Sequence, residues 1–423
     1  MKKKHSCNKN HYCESCLHVL GEKQKIIEFC DISNITEEIE LYCELCGQKL
    51  NSQLDSNINN KTQLSLFKSA IKNSNLKVVC FTAPSIRASV SEVFLDGKIE
   101  ECQGKLNTAL RLLGVDIVFD MNVAADFTVV EEAEEFVKRF KTKKNLPMMT
   151  SCCPGWVNFV TKTYPEFIKN LSTCKSPQQM FGALISKYYA ESIGKKSTDL
   201  FVVSIVPCLV KKLEAKQDGI NFNVGYDVDA AITTSELIEM IKEAGIDFKS
   251  LEKTNFDEFF GSSSGAGTIF GSTGGVMEAV LRTIGDKVEE KELHDCMYEL
   301  VRGQEGIRKT IINTGKELIK IAVVSGLMNI KPLLESIKQG EQFDFIEVMA
   351  CPGGCVGGGG QPRVKIEEQT EITQQRANVL YKDAELKKHK KAHKNPSVIK
   401  IYDKHIGKVG GKTAYKILHR KFK

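Results

Sequence analysis

The stretch that decides the fold is Phe345-Ile-Glu-Val-Met-Ala-Cys-Pro-Gly-Gly-Cys355. Its first residues are mostly apolar and predict a short buried strand, and the Cys-Pro-Gly-Gly-Cys segment that follows predicts a sharp turn. Two other short apolar runs, at 148–150 and 200–206, lead into Ser151-Cys-Cys-Pro-Gly-Trp156 and Pro207-Cys208. Ligands bind at the carboxyl ends of parallel strands, so we expect the three loops to converge on one site.

The rest of the sequence predicts an α/β fold. Apolar runs of strand length alternate with segments of helical periodicity, and this alternation is typical of parallel sheets covered by helices. We expect a strand within 76–84, further strands at 115–119, 148–150, 200–206, 319–324 and 345–348, and helices at 130–140 and around 178–193.

Composition and charge exclude several classes of protein. The 423 residues are 42% apolar, yet no apolar run approaches the roughly 20 residues needed to cross a bilayer, and no signal-peptide pattern follows Met1. We therefore expect neither membrane insertion nor secretion. From Leu380 onward, 14 basic residues stand against 3 acidic ones. Apolar residues stand at helical spacing in 397–402 and 413–418, which indicates helices that dock on the core with their lysines facing water. We therefore expect no nucleic-acid partner.

The 15 cysteines indicate metal binding or catalysis, because they are too dilute for a disulfide scaffold. The three loops carry four natural thiolate ligands, one from each of the first two loops and two from the third. Isolated ligands and a Cys-x3-Cys pair favour an iron–sulfur cluster over zinc, which usually binds two Cys-x2-Cys pairs. The glycine run 357–360 agrees, because glycine lets the backbone approach a bulky group.

The remaining cysteines of the core region and the histidines belong to no motif. We expect Cys80, Cys102, Cys174 and Cys296 to be small buried core residues, and we assign no role to any of the eight histidines.

The three loops resemble the three signatures of the FeFe hydrogenases. The matching segments are Thr150-Ser-Cys-Cys-Pro-Gly-Trp156, Pro207-Cys-Leu-Val-Lys-Lys-Leu-Glu214 and Glu347-Val-Met-Ala-Cys-Pro-Gly-Gly-Cys-Val-Gly-Gly-Gly-Gly-Gln-Pro362. The resemblance implies two parallel or mixed sheets flanked by helices, with the active site between the two lobes. It also implies an H-cluster, which is a 4Fe-4S cluster joined through one cysteine sulfur to a di-iron unit with CO, cyanide and azadithiolate.

The resemblance also implies roles for individual residues. The 4Fe-4S ligands would be Cys153, Cys208, Cys351 and Cys355, and Cys355 would bridge to the di-iron unit. Cys152 would be the free thiol that exchanges a proton with the azadithiolate amine, and Lys211 would pair with a cyanide ligand. The pocket around the di-iron unit would be lined by Ala83, Pro84, Ser85, Gln178, Phe270 and Met349.

A proton path to the surface is implied as well. Counted from Cys152, the residues Glu132, Glu135, Arg139 and Ser172 match the path of the family. Without the resemblance, the run Glu131-Glu-Ala-Glu-Glu135 would be typical of a solvated helix face.

The amino-terminal module departs from the family pattern. Hydrogenases of this kind commonly carry two Cys-x2-Cys-x2-Cys-x3-Cys-Pro runs, which bind two clusters. Only Cys13-Glu-Ser-Cys16 and Cys43-Glu-Leu-Cys46 are present here, so two intact clusters of that pattern are excluded. We expect one site formed by Cys13, Cys16, Cys43 and Cys46 that binds zinc; one unusual iron–sulfur cluster and a degenerate module without metal stay open.

The sequence thus predicts three parts: a Cys-rich module and linker at 1–74, an H-cluster domain at 75–362 and a basic helical segment at 363–423. The implied function is reversible reduction of protons to dihydrogen, with ferredoxin as electron partner and maturation proteins that supply the di-iron unit. The expected location is the cytoplasm, or a hydrogen-producing organelle in a eukaryote. A non-catalytic iron–sulfur assembly factor of the same fold and a hydrogen sensor are the alternatives.

Overall fold

A computed structural model of the chain describes residues 41–43, 48–50, 60–217, 227–289, 299–303, 306–314 and 317–422. The strands are β1 (Leu41–Cys43), β2 (Gln48–Leu50), β3 (Lys77–Thr82), β4 (Ile117–Asp120), β5 (Met148–Met149), β6 (Leu200–Val206), β7 (Ala230–Thr233), β8 (Ile307–Asn313), β9 (Leu318–Ser325) and β10 (Phe345–Met349). The α-helices are Asn60–Ala70, Pro84–Leu95, Ile99–Leu112, Met121–Thr142, Pro154–Thr163, Pro177–Leu184, Ala190–Ser192, Val210–Ala215, Thr234–Glu243, Gly265–Thr268, Gly275–Glu289, Leu327–Lys338, Gln369–Leu386, Pro396–Ile401 and Lys412–Leu418.

Two four-stranded sheets form the framework. In the first sheet the order is β4-β3-β6-β7 and every neighbouring pair is parallel. In the second sheet the order is β5-β10-β9-β8, where β5, β10 and β9 are parallel and β8 is antiparallel to β9. One sheet is therefore parallel and the other mixed, and helices flank both, so the predicted fold class is confirmed.

The second sheet is buried on both faces. Ile321 and Val323 of β9 point into the main core, and the alternate residues Ala322 and Val324 point into a separate core beneath the helices Pro154–Thr163 and Leu327–Lys338. This alternation follows from the two-residue period of a strand. A sheet covered on both faces reads as a continuous apolar run, which is why β9 and β10 were predictable from sequence.

The predicted strands all occur, whereas two edge strands were missed. β7 is only four residues long, and exposed positions of β8 carry the polar residues Lys309 and Asn313. The strands β5, β6 and β10 end at the loops that carry Cys153, Cys208 and Cys351, respectively.

The amino-terminal module is described only at one strand pair. β1 and β2 are antiparallel, and Cys43 is the last residue of β1. The other predicted ligands of that module, Cys13, Cys16 and Cys46, lie outside the described residues.

The carboxyl-terminal segment docks on the main core as expected. Val398, Ile401, Ile417 and Leu418 are all buried in that core. The residues after the last helix pair with the segment 173–175, because Lys175 N donates to Leu418 O (2.8 Å) and Arg420 N donates to Thr173 O (2.8 Å). Among the described residues, no helix combines the length and the apolar content that a bilayer crossing requires.

One buried ion-pair network fixes the long helix Met121–Thr142. Arg87 donates to Asp120 (2.7 Å) and to Asp383 (2.9 Å), and Asp120 caps the helix by accepting from Asn122 N (3.1 Å). The Arg87 side chain is 1% exposed. Loss of one partner from such a network leaves the others charged and desolvated.

We expect Arg87→Met to lower the free energy of unfolding by about 3–5 kcal/mol, because Asp120 and Asp383 would stay buried without their counter-ion. Urea unfolding followed by circular dichroism measures this loss. Arg111→Met is the matched control: its ion pair with Asp257 (2.8 Å) is about one-third exposed, and exposed pairs contribute roughly 1 kcal/mol or less. Equal losses in the two variants would contradict the assigned importance of the Arg87 network.

Candidate active site

Four half-buried cysteines stand at the carboxyl ends of strands from both sheets. Cys153 follows β5 and precedes the helix Pro154–Thr163, and Cys208 follows β6 after Pro207. Cys351 and Cys355 follow β10, and Cys355 begins a short 3-10 turn. The three loops therefore meet where the sequence predicts, with one ligand contributed by the first sheet and three by the second.

Backbone contacts hold these loops together. Gly360 N donates to Pro207 O (2.8 Å), which joins the loop after β10 to the loop after β6. Ala350 N donates to the Cys153 sulfur (3.4 Å), which joins the loop after β10 to the loop after β5. Each link is short enough to set the spacing of the cysteines that flank it.

The four thiols are close, yet they are too far apart for a single ion. Burial, together with the neighbouring Cys153 and Cys208, raises the pKa of Cys355 to about 12. In the described part of the chain, however, no three of these four sulfur atoms lie within 4.8 Å of one another. A tetrahedral zinc with bonds of about 2.3 Å would need sulfur atoms roughly 3.8 Å apart. The spacing therefore fits a larger metal cluster.

Cys152 and Lys211 lie beside this centre. Cys152 is 8% exposed and packs into the main core, whereas the adjacent Cys153 contacts the smaller core. Lys211 Nζ donates to the Cys152 carbonyl oxygen (3.0 Å) and forms an ion pair with Glu214 (2.7 Å). Burial raises the pKa of the Cys152 thiol, and the nearby Glu132 carboxylate raises it further. Cys152 is therefore a protonated thiol beside a carboxyl group.

The predicted pocket residues surround the same place. Gln178 accepts a hydrogen bond from Ser204 Oγ (2.8 Å) and donates to the Lys211 carbonyl oxygen (3.0 Å), so it ties β6 to the Lys211 helix. The hydroxyl of Ser85 is buried and has no hydrogen-bond partner among the described residues, which leaves it available to a bound group. All six pocket residues are buried: Ala83, Pro84, Ser85, Gln178, Phe270 and Met349.

A line of polar side chains leads from Cys152 toward the surface. Glu132 is completely buried, and burial raises its pKa to about 8, while the Ser172 hydroxyl opposes that shift. Ser172 Oγ also lies 3.4 Å from Glu135 Oε2, whereas neither carboxyl oxygen of Glu132 has a hydrogen-bond partner among the described residues. Arg139 completes the line through an ion pair with Glu135 (2.6 Å). The run of glutamates is therefore not a solvated face, because Glu131, Glu132 and Glu135 are all buried.

Sequence reasoning missed two further residues at the outer end of this line. Thr173 donates to Glu135 Oε2 through its backbone N (2.9 Å) and contacts the same oxygen through Oγ1 (3.0 Å). His419 lies 2.8 Å from Thr173 Oγ1 and 2.9 Å from Glu131 Oε2. Adjacency to Ser172 was the one local signal for Thr173. His419 had none, because 288 residues separate it from Glu131.

Comparison with known proteins agrees with this geometry. The sequence-family model described as "Iron only hydrogenase large subunit, C-terminal domain" matches residues 76–359. The chain belongs to the iron-only hydrogenase family. A second family, described as "Iron hydrogenase small subunit", matches residues 370–423, so segments related to both subunits are present in one chain. The predicted family is confirmed.

Hydrogenases are among the most similar relatives. Iron hydrogenase 1 of Clostridium pasteurianum is 43% identical over 86% of this chain and 64% of its own length. The NADP-reducing hydrogenase subunit HndD of Solidesulfovibrio fructosivorans is 42% identical over 83% of this chain and 60% of its own length. The chain thus spans less than two thirds of either relative. A variant of [FeFe]-hydrogenase HydA1 from Chlamydomonas reinhardtii superimposes with a TM-score of 0.73 at 34% identity, covering 85% of this chain and 98% of that one.

Iron–sulfur assembly proteins are also relatives. Cytosolic iron-sulfur assembly component 3 of Rattus norvegicus is 34% identical over 70% of this chain and 65% of its own length. Family membership is therefore common to hydrogenases and assembly proteins, and the residues beside the metal centre must distinguish the two functions.

We expect Gly358→Ala to prevent stable binding of a metal cluster. A Cβ atom at Gly358 would overlap the Pro207 carbonyl oxygen and lie 3.0 Å from the Cys355 carbonyl oxygen, so the loops would move apart. Gly359→Ala is the matched control, because a Cβ there meets only Leu209 Cδ1 at 4.0 Å. Iron content after reconstitution should fall severalfold in the first variant and stay unchanged in the second. Equal iron contents would show that the glycine run does not set the loop spacing.

Proposed function

We propose that this protein is an FeFe hydrogenase that reversibly reduces protons to dihydrogen. The observation that carries the proposal is the buried thiol of Cys152, which lies between four convergent cysteines and the polar line of Glu132, Ser172, Glu135 and Arg139. An iron–sulfur protein without proton chemistry has no use for such a line, and buried carboxyl groups are costly. Their presence at this position supports catalysis.

The residues fit the cofactor that this function needs. Cys153, Cys208, Cys351 and Cys355 would bind a 4Fe-4S cluster, with Cys355 also bound to the di-iron unit. The di-iron unit, with its CO, cyanide and azadithiolate ligands, supplies the redox chemistry of protons and dihydrogen when it is bound. The wide sulfur spacing and the unpartnered Ser85 hydroxyl support this fit. The remaining pocket residues would enclose the di-iron unit in an apolar, water-excluding surface.

The side chains around this pocket have separable tasks. Lys211 brings a cation into a buried site, where an anionic ligand such as cyanide needs a charged donor. Cys152 holds a proton next to the pocket and receives another from Glu132. Because the pKa of Glu132 is raised to about 8, its carboxyl group is mostly protonated near pH 7 and can donate. Cys152 takes the proton of Glu132 only after it has given its own to the pocket. A replacement proton then passes from solvent through Glu135 and Ser172 to Glu132, and Arg139 holds Glu135 in place at the outer end.

An iron–sulfur assembly factor is the second candidate, and the 34% identity to such a protein supports it. That function needs the 4Fe-4S ligands only. It gives no role to Cys152, Lys211 or the buried glutamates, so the geometry favours the enzyme.

We also propose the organisation and partners of the enzyme. The parts would be the module at 1–74, the H-cluster domain at 75–362 and the basic segment at 363–423; the family matches at 76–359 and 370–423 support the last two. Ferredoxin would supply electrons, steered by basic residues, and maturation proteins would supply the di-iron unit. The four amino-terminal cysteines would bind zinc or one further iron–sulfur cluster.

Protein that has been matured with the di-iron unit should show infrared bands of CO and cyanide and should evolve dihydrogen from reduced viologen. The four cysteines, Lys211 and Cys152 are the reasons for this expectation. A sample with a full 4Fe-4S complement and complete maturation, but without these bands, would assign the chain to the assembly factors.

Cys152→Ala should keep its iron content and infrared bands and lose most turnover. A general acid–base step contributes about 10²- to 10⁴-fold in rate, and the proton line has this thiol at its inner end. Cys80→Ala is the matched control, because Cys80 is a buried thiol of β3 in the core. Loss of iron from the Cys152 variant, or equal turnover in both variants, would contradict the role given to Cys152.

A further inference from the structure

We propose that Glu135, Cys174 and His419 form a binding site for a divalent ion of the zinc class, and that the bound ion takes Glu135 out of the proton line. The ligand atoms of these three residues lie within 4.8 Å of one another, and in the described part of the chain no other such group of three occurs. Carboxylate, thiolate and imidazole are the ligands that zinc prefers. The binding itself is independent of the proposed function, whereas the effect on turnover rests on it.

Cys174 is buried in the main core, as the sequence predicts, and it also faces polar side chains. Its side chain is 1% exposed, but its sulfur lies 3.9 Å from Glu135 Oε2. An isolated antiparallel bridge pairs Cys174 with His419, so the backbone brings the thiol and the imidazole side by side. The two ligands are therefore positioned by the docking of the carboxyl-terminal segment.

The histidine is oriented as metal-binding histidines are. Nε2 of His419 lies 2.9 Å from Glu131 Oε2, and Glu131 is held in turn by Tyr402 and by Gly410 N (3.0 Å). A carboxylate at one ring nitrogen fixes the ring and leaves the other nitrogen as the ligand, a common arrangement at zinc sites. Here the other nitrogen is Nδ1, which now contacts Thr173 Oγ1 (2.8 Å). A metal ion would replace that hydroxyl contact.

Glu135 keeps one oxygen for a metal. Its Oε1 is held by Arg139 (2.6 Å). Its Oε2 accepts from the Thr173 backbone N (2.9 Å) and hydroxyl (3.0 Å), and it also faces the Ser172 hydroxyl (3.4 Å) and the Cys174 thiol (3.9 Å). These are weak neutral partners that a cation can displace. Arg139 can therefore stay in place when a metal binds to Oε2.

The local field attracts a cation. Burial raises the pKa of Cys174 well above that of an ordinary thiol, and the carboxylates of Glu135, Glu132 and Glu131 raise it further. A zinc ion would replace the thiol proton, which leaves to solvent, and would neutralise part of this negative field. The positive charges of Arg139 and of Lys138, Lys408 and Lys412 at the cavity oppose it, so we expect moderate affinity and reversible binding.

An entry path exists. A cavity of about 350 Å³ is lined by Glu131, Glu135 and His419 at its inner end and by the exposed Lys138, Lys408 and Lys412. The volume is large enough for a hydrated ion, and water in it can fill the fourth coordination position. Two of the three ligands, Glu135 and His419, line this cavity, and Cys174 lies buried behind them, so an ion can reach the site from the cavity side.

The experiment uses matured, full-length protein, in which the cluster occupies its own cysteines. Zinc per chain is measured after equilibration with zinc sulfate and desalting, for wild type and for the double variant Cys174→Ser, His419→Gln. The control double variant is Cys102→Ser, His405→Gln, which changes the same residue types away from the site. Zinc on the amino-terminal cysteines is common to all three proteins and cancels in the comparison.

Wild type and the control should bind one zinc more than the site variant, and a chelator should remove it. Their dihydrogen evolution from reduced viologen should fall about tenfold or more on zinc addition, each relative to its own zinc-free rate, because one proton carrier is blocked. The site variant should lose less than half of its own zinc-free rate.

Equal zinc contents in wild type and the site variant would overturn the site. An extra zinc in wild type without slower turnover would overturn its effect on the proton line. An extra zinc in a fully matured protein that evolves no dihydrogen would refute the proposed function and leave the site standing, so the two failures are distinguishable.

Discussion

The hydrogen bond from Gly360 N to Pro207 O joins the two sheets at the place where all the chemistry is concentrated. Cys208 follows that proline, and Cys355 lies five residues before that glycine, so this one contact sets how far apart two ligands from different sheets can be. It exists only because Gly358 and Gly360 have no side chains. A Cβ at Gly358 or Gly360 would overlap the backbone of Pro207 or Cys208. The spacing of the metal centre is therefore determined by backbone contact, which side-chain rotation cannot change.

The helix Met121–Thr142 shows how one repeated residue type acquires different properties. Glu131 contacts Tyr402 and His419, Glu135 is paired with Arg139, and Glu132 has a pKa raised to about 8 by burial. Buried carboxyl groups cost stability unless each is paired, hydrogen-bonded or protonated. These three glutamates use different solutions within five residues, and Glu132, the one with the raised pKa, also raises the pKa of Cys152.

The carboxyl-terminal segment has a larger part in the site than its composition indicates. Its apolar residues dock on the main core, as predicted, and its lysines mostly face water. The docking also brings Tyr402, Gly410 and His419 into contact with the buried Glu131. A segment that matches the small-subunit family thus completes the surroundings of residues that belong to the large-subunit match.

The sequence by itself determined the framework and the loops. Strands buried on both faces produce continuous apolar runs, and Cys-Pro turns and glycine runs mark where those strands end, so the fold class and the convergence of the cysteine loops were predictable from local pattern. The edge strands β7 and β8 were not predictable in this way: β8 is half solvated, and its residues Arg308 and Lys309 hide the strand pattern. The local sequence pattern did not predict the burial of the glutamate run either. Only the tertiary structure decided the burial and the contacts of Glu131, Glu132, Glu135, Cys174 and His419. Whether a polar side chain is buried depends on which distant segment packs against it.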